Sequence, residues 1–217
     1  RGQAREALVS YQRIFNAHTE VSDPSGVSRA TAKRNIGRCK CAMGELDEGE
    51  RLQREAWPTI RDRTPLGLTD PVWTMVYLGQ TRLRRDDPAE ALSMFTQARA
   101  MAPKFNIERM QTLVIDRWCV EALLGTNQIN EADAAAKTML EQVREVGAAS
   151  LLKAEFLLTA AKARLAAGQN QEAQELLREG VELHKTAEPD PLPKYETLSV
   201  LGYALAKAGK ADEGLPM

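Results

Sequence analysis

No stretch of the chain alternates apolar and polar residues with the period of two that a half-buried strand requires, so no sheet is expected. The pattern instead predicts helices over 3–19, 27–43, 47–63, 71–85, 88–101, 106–125, 130–146, 148–167, 170–186 and 192–208, with a stub from 211. Pro-rich or Gly-rich segments separate several of them: "TEVSDPSG", "DRTPLGLTDP", "MAPKF" and "AEPDPLPK". Around Val146-Gly147-Ala148 the break is shorter.

The helices are organised by a repeat. A turn residue, three spacers, a Glu and a small residue recur as "GQAREA" (2–7), "GELDEG" (44–49), "DDPAEA" (86–91), "NQINEA" (127–132), "GQNQEA" (168–173) and "GKADEG" (209–214). The steps are 42, 42, 41, 41 and 41 residues, and a fixed period of this size marks a stacked helical array. The turn position holds Gly2, Gly44, Asp86, Asn127, Gly168 and Gly209. These residue types tolerate the left-handed backbone that ends a helix. Asp47, Asn130 and Asn170 are then expected to cap the following helix, and Asp87-Pro88 to be a cap followed by Pro at the first helical position. The recurrent Glu falls in the first turn, where the helix dipole favours an anion. Each unit therefore reads as helix A, a tight turn and helix B. The chain opens on a helix B without its A and closes soon after a turn. Together with an Arg at position 1, this suggests a piece of a longer array, with any catalytic part lying outside it.

The third unit, "PVWTMVYLGQTRLRRDDPAEALSMFTQARAMAP", resembles the tetratricopeptide repeat: Leu78-Gly79, Ala91, Phe95, Ala98 and Pro103 stand at that family's spacings. Ile36-Gly37 and Leu201-Gly202 match the Leu-Gly pair, and Tyr11 and Leu177 fall at the Phe position. Cys119-Val120 and Ala160-Ala161 replace Leu-Gly in the two remaining units. The long period resembles kinesin light chains and the helical arrays of bacterial signalling proteins. The resemblance implies one all-α domain over 1–217, a right-handed α-solenoid of stacked helix-turn-helix repeats with about 10–11 helices. In that family the Gly and the first Ala let helices A and B approach, and helix A lines a concave face that holds a peptide or another domain.

Carrying that face onto this chain gives Thr31, Arg34, Asn35 and Arg38; Trp73, Tyr77, Gln80 and Arg84; Arg117, Trp118 and Glu121; Glu155, Thr159 and Lys162; and Glu196, Ser199 and Tyr203. The early positions are basic and aromatic, types enriched at binding hot spots, and the later ones more acidic. The chain repeats this asymmetry. Its net charge is −1, yet residues 1–110 hold 18 Lys and Arg against 14 Asp and Glu, and residues 111–217 hold 11 against 16. A protein or peptide partner with acidic and apolar residues suits the N-terminal half, and exposed terminal repeats would permit self-association.

Composition narrows the rest. Apolar residues make up 43% and aromatics 5%, a mix suited to helices packed through small side chains. No apolar run approaches the roughly 18 residues of a membrane span, and near-zero net charge argues against bulk nucleic-acid binding. Cys39, Cys41 and Cys119 form no disulfide framework, which favours a reducing, cytoplasmic setting. Cys39 and Cys41, two apart on a helix, point to different faces, so neither a metal nor another cofactor is expected. His18 and His184 share a repeat phase near the end of helix B, where the dipole favours a cation. No phosphate-binding loop, HExxH or GxSxG is present. The expectation is a non-enzymatic interaction scaffold. The alternative is a sensor domain whose groove takes a small ligand or signalling peptide and controls an attached kinase, ATPase, transcription regulator or peptidase.

Overall fold

A computed structural model describes residues 2–18, 22–148, 150–185 and 192–210. Among these residues there are ten helices and no strand: α1 (Gly2–Ala17), α2 (Val27–Met43), α3 (Leu46–Arg63), α4 (Asp70–Arg84), α5 (Pro88–Met101), α6 (Arg109–Gly125), α7 (Ile129–Val146), α8 (Ser150–Ala166), α9 (Asn170–Lys185) and α10 (Leu192–Lys207). They fall into two compact units, residues 1–108 with α1–α5 and residues 109–217 with α6–α10. In each unit consecutive helices pack in antiparallel pairs, α2 on α3 and α4 on α5, α6 on α7 and α8 on α9. The expected stub from 211 lies outside the described residues.

Five turns share one geometry. Gly44, Asp86, Asn127, Gly168 and Gly209 all have positive φ, from 58° to 99°. The residue after each donates its N–H to a carbonyl five positions back: Glu45 to Lys40, Asp87 to Arg82, Gln128 to Leu123, Gln169 to Arg164 and Lys210 to Leu205, at 2.8–3.0 Å. This closure satisfies carbonyls that a helix end otherwise leaves unpaired. Gly2 differs: it is the first residue of α1.

The closure also corrects the expected caps. It is so tight that helix B begins two residues after the left-handed one, at Leu46, Pro88, Ile129 and Asn170. Asp47 and Asn130 therefore lie inside the first turn, and Asn170 is itself the first helical residue. The flanking caps Glu45 and Gln128 make no side-chain cap bond. Asp87 does cap α5, accepting from the N–H of Glu90. The recurrent Glu residues Glu48, Glu90, Glu131 and Glu172 all stand in first turns as expected. The α6 boundary moves as well. Residues 102–107 form a turn in which Asn106 takes φ 51°, Ile107 bonds back to Ala102, and Phe105 is buried, so the helix starts at Arg109.

Small residues set the pairing distance. A Cβ on Gly79 would lie 2.6 Å from the fully buried Phe95 ring, so α4 meets α5 through glycine against an aromatic face. No such restraint acts at Gly202, where nothing comes within 4 Å. In the second unit Ala132, Ala136, Ala160 and Ala163 fill the same role around Leu113, Val120, Met139 and Phe156. Leu158, Leu177, Leu201 and Leu205 centre a further cluster joining α8, α9 and α10. Tyr11, by contrast, is only half-buried on α1.

Candidate functional site

In the first unit, α2 and α4 touch and carry their candidate residues on adjoining faces. Thr31, Arg34, Asn35 and Arg38 stand at i, i+3, i+4 and i+7 of α2, one face of a helix, and Trp73, Tyr77, Gln80 and Arg84 stand at i, i+4, i+7 and i+11, one face of α4. The two sets are cross-linked. Arg34 Nη1 donates to Asp70 Oδ1 at 2.9 Å and to Thr74 Oγ1 at 3.3 Å, and Arg34 Nε donates to Asn35 Oδ1 at 3.3 Å. Thr31 donates to the same Asp70 oxygen. Arg84 Nη1 reaches back to the carbonyl of Cys41 at 2.9 Å.

Tyr77 is the hub of this face. The guanidinium of Arg38 lies 4.7 Å and that of Arg34 5.4 Å from its ring centroid, and Trp73 stacks on it at 6.3 Å. Arg34 and Asn35 are buried, 6% and 8% exposed, so they serve the joint between α2 and α4 and present little to a ligand. Arg38, Trp73, Tyr77 and Gln80 are half-buried and Arg84 is exposed. Sequence reasoning missed Asp70, which anchors Arg34; it lay in a segment read as linker and is the first residue of α4.

In the second unit, α6, α8 and α10 together line a cavity of about 340 Å³. Its walls are Arg117, Trp118, Glu121, Glu155, Leu158, Thr159, Lys162 and Glu196. Seven of these eight were groove candidates, and Leu158 is the addition. Ion pairs join the lining residues of neighbouring helices. Arg117 Nη2 lies 3.1 Å from Glu155, and Lys162 Nζ lies 3.2 Å from Glu121 and 2.7 Å from Glu196. Thr159, fully buried, donates to Glu121 at 2.9 Å. Burial alone would lower the pKa of Lys162, but the Glu121 and Glu196 carboxylates outweigh it and hold the ammonium above its ordinary value. The Arg117 guanidinium sits 4.3 Å over the Trp118 ring. Ser199 and Tyr203 continue the α10 face outward, both exposed.

The histidines separate. His18 Nδ1 lies 2.8 Å from the carbonyl of Ile14 at the end of α1. His184 corrects the expectation: it is 1% exposed, its Nε2 is 3.4 Å from Thr197 Oγ1, and its Nδ1 has no partner among the described residues. Burial, reinforced by Lys194 and opposed by Glu155, pushes its pKa down, so the neutral ring is favoured. Cys39 and Cys41 are buried thiols whose pKa values burial raises, and all three cysteines are free. Among the described residues no three metal-binding side chains cluster, and no helix is long and apolar enough to cross a membrane.

These repeated hairpins, with their glycine-against-aromatic contact, have a counterpart among known families. Residues 29–104 match the tetratricopeptide repeat. The fold of the whole chain is of the same type. It is similar to BtubC (BKLC) from P. vanneervenii at 14% identity and a TM-score of 0.76, over 98% of this chain and 87% of that one. It is also similar to the TPR-like repeats of a Podosopora anserina putative kinesin light chain, at 18% identity and a TM-score of 0.68, over 88% and 92%. A third likeness is to the Rap conjugation gene regulator of the plasmid pLS20 in complex with the Phr* peptide, at 14% identity and a TM-score of 0.73. It covers 89% of this chain and 53% of that chain. No curated protein sequence matches the chain.

Proposed function

We propose that this tetratricopeptide-type chain is a non-enzymatic scaffold that binds a peptide or a partner's extended segment along the faces of its A helices. The observation that carries the reading is the cavity between α6, α8 and α10. Its polar walls come from three successive A helices, and its volume suits a side chain of a bound segment. The Arg38–Tyr77–Trp73 stack offers aromatic and guanidinium surface of the kind that anchors interfaces, and it suits a segment with acidic and apolar residues. A cytoplasmic setting belongs to the same proposal, consistent with three free cysteines. So does the view of 1–217 as one repeat array, with self-association through its terminal repeats.

A second reading is favoured by one comparison. The Rap relative is a gene regulator in complex with a peptide, so the groove here would hold a signalling peptide and control an attached effector. Random-peptide display on the full chain tests the first reading. Selected peptides are expected to lose at least tenfold in affinity on Trp73→Ala or Trp118→Ala while circular dichroism is unchanged. Peptides indifferent to both substitutions would place the binding face elsewhere. A peptide-dependent change in the activity of the full-length parent protein would favour the sensor.

A further inference from the structure

We infer that the cavity between α6, α8 and α10 is a socket for a basic side chain, a Lys or Arg of the bound segment. This deepens the peptide-binding reading and rests on it. Three carboxylates, Glu121, Glu155 and Glu196, line the cavity against two cations, Arg117 and Lys162, leaving one negative charge in excess. The pairing shows where the excess resides. Glu121 accepts from both Thr159 and Lys162, each through Oε1. Glu155 meets Arg117 through Oε2 and Glu196 meets Lys162 through Oε1; among the described residues their other oxygens, Glu155 Oε1 and Glu196 Oε2, make no ion pair. Glu155 and Glu196 stand on neighbouring helices, α8 and α10, which touch. An ammonium or guanidinium entering between them finds two acceptors whose negative charge is already in place.

The apolar lining supplies the rest of the fit. Leu158, 5% exposed, and Trp118 form a wall beside the carboxylates, the arrangement that takes the methylene stem of Lys or Arg while its head reaches the acids. The cavity holds a second incomplete group: Arg117 Nε is buried and, among the described residues, donates to no acceptor, a donor that the segment's own backbone carbonyl can meet after a small shift of the guanidinium. An acidic side chain fits poorly, because both cations are held by carboxylates and its charge would add to the excess.

The test is random-peptide display on the full chain, with parallel panning on a Glu155→Gln/Glu196→Gln variant whose helicity is confirmed by circular dichroism. Glutamine keeps the shape of both side chains and removes the charge. Peptides that prefer the unaltered chain are expected to be enriched in Lys or Arg. Replacing that residue by norleucine should weaken binding about tenfold, and only toward the unaltered chain. Peptides bound equally by both proteins, or enriched in Asp and Glu, overturn the socket and leave the interaction reading standing. Recovery of no peptide overturns both.

Discussion

Gly37 and Gly49 face each other across the α2–α3 pair so closely that a Cβ on Gly37 would lie 2.5 Å from the Gly49 carbonyl oxygen. A Cβ on Gly49 would collide with Cys41 Sγ and the Gly37 carbonyl. Gly37 carries the resemblance noted in the sequence; Gly49, at the small-residue place of the turn motif, completes the contact from the other side.

Gly37→Ala and Gly49→Ala should each destabilise the fold by about 1–3 kcal/mol, because backbone has to move to admit the methyl. Gly202→Ala is the control. It sits within α10 with nothing inside 4 Å, so alanine should stabilise by about 0.5–1 kcal/mol through helix propensity. Urea unfolding of the three variants checks both signs.

Arg34 and Arg38, one turn apart on α2, should respond differently to alanine. Arg34 is buried and bonds Asp70 and Thr74, so Arg34→Ala strands a partly buried carboxylate and should cost about 1–3 kcal/mol. Arg38→Ala removes a half-buried stack on Tyr77 and should cost under about 1 kcal/mol, its main effect falling on partner affinity. Thermal melts and titration of a selected peptide separate the two.

His184 sets a pH dependence. Its folded-state pKa lies below the ordinary value of 6.5, so the unfolded chain takes up this proton first as pH falls. The stability tied to its neutral ring is fully present above about pH 6.5 and declines below it. Asp23, Glu55 and Asp62 have lowered values, and the stability tied to their ionised forms is lost only below their unfolded-state pKa values near 4. Melting temperatures between pH 7.5 and 5 should therefore fall in the unaltered chain and flatten in His184→Gln. An unchanged slope in that variant would show that the ring is not the titrating group.

Asp86 and Asn127 hold left-handed backbone at φ 58°. Glycine takes that conformation without a Cβ penalty, so Asp86→Gly and Asn127→Gly should stabilise by up to about 1 kcal/mol. Gly44→Ala, at φ 99°, should do the opposite. Chemical denaturation of the set tests whether turn conformation governs stability.

The repeat was legible because its turn chemistry is local: a left-handed residue every 41 or 42 positions and a Glu four later can be read without knowing what packs on what. The second-unit cavity was legible for a related reason, since Glu155, Thr159 and Lys162 are spaced to share one face of α8. Arg34 was misjudged because its burial depends on Asp70, 36 residues away, in a segment whose Pro and Gly read as linker. Asp47 and Asn130 were misjudged by two residues because helix A closes on a bond five positions back, a geometry that residue type alone does not fix. His184 looked like a surface cation until α10 was laid over it.

The cross-helix bonds of the A faces have a mechanical consequence. Arg34 fastens α2 to α4, and Lys162 fastens α8 to both Glu121 on α6 and Glu196 on α10. Lys162, which lines the cavity, is thus also a stitch that holds one repeat to the next. A guest that recruits Lys162 or its carboxylates slackens those seams, so occupancy would be felt as a change in stiffness within the unit.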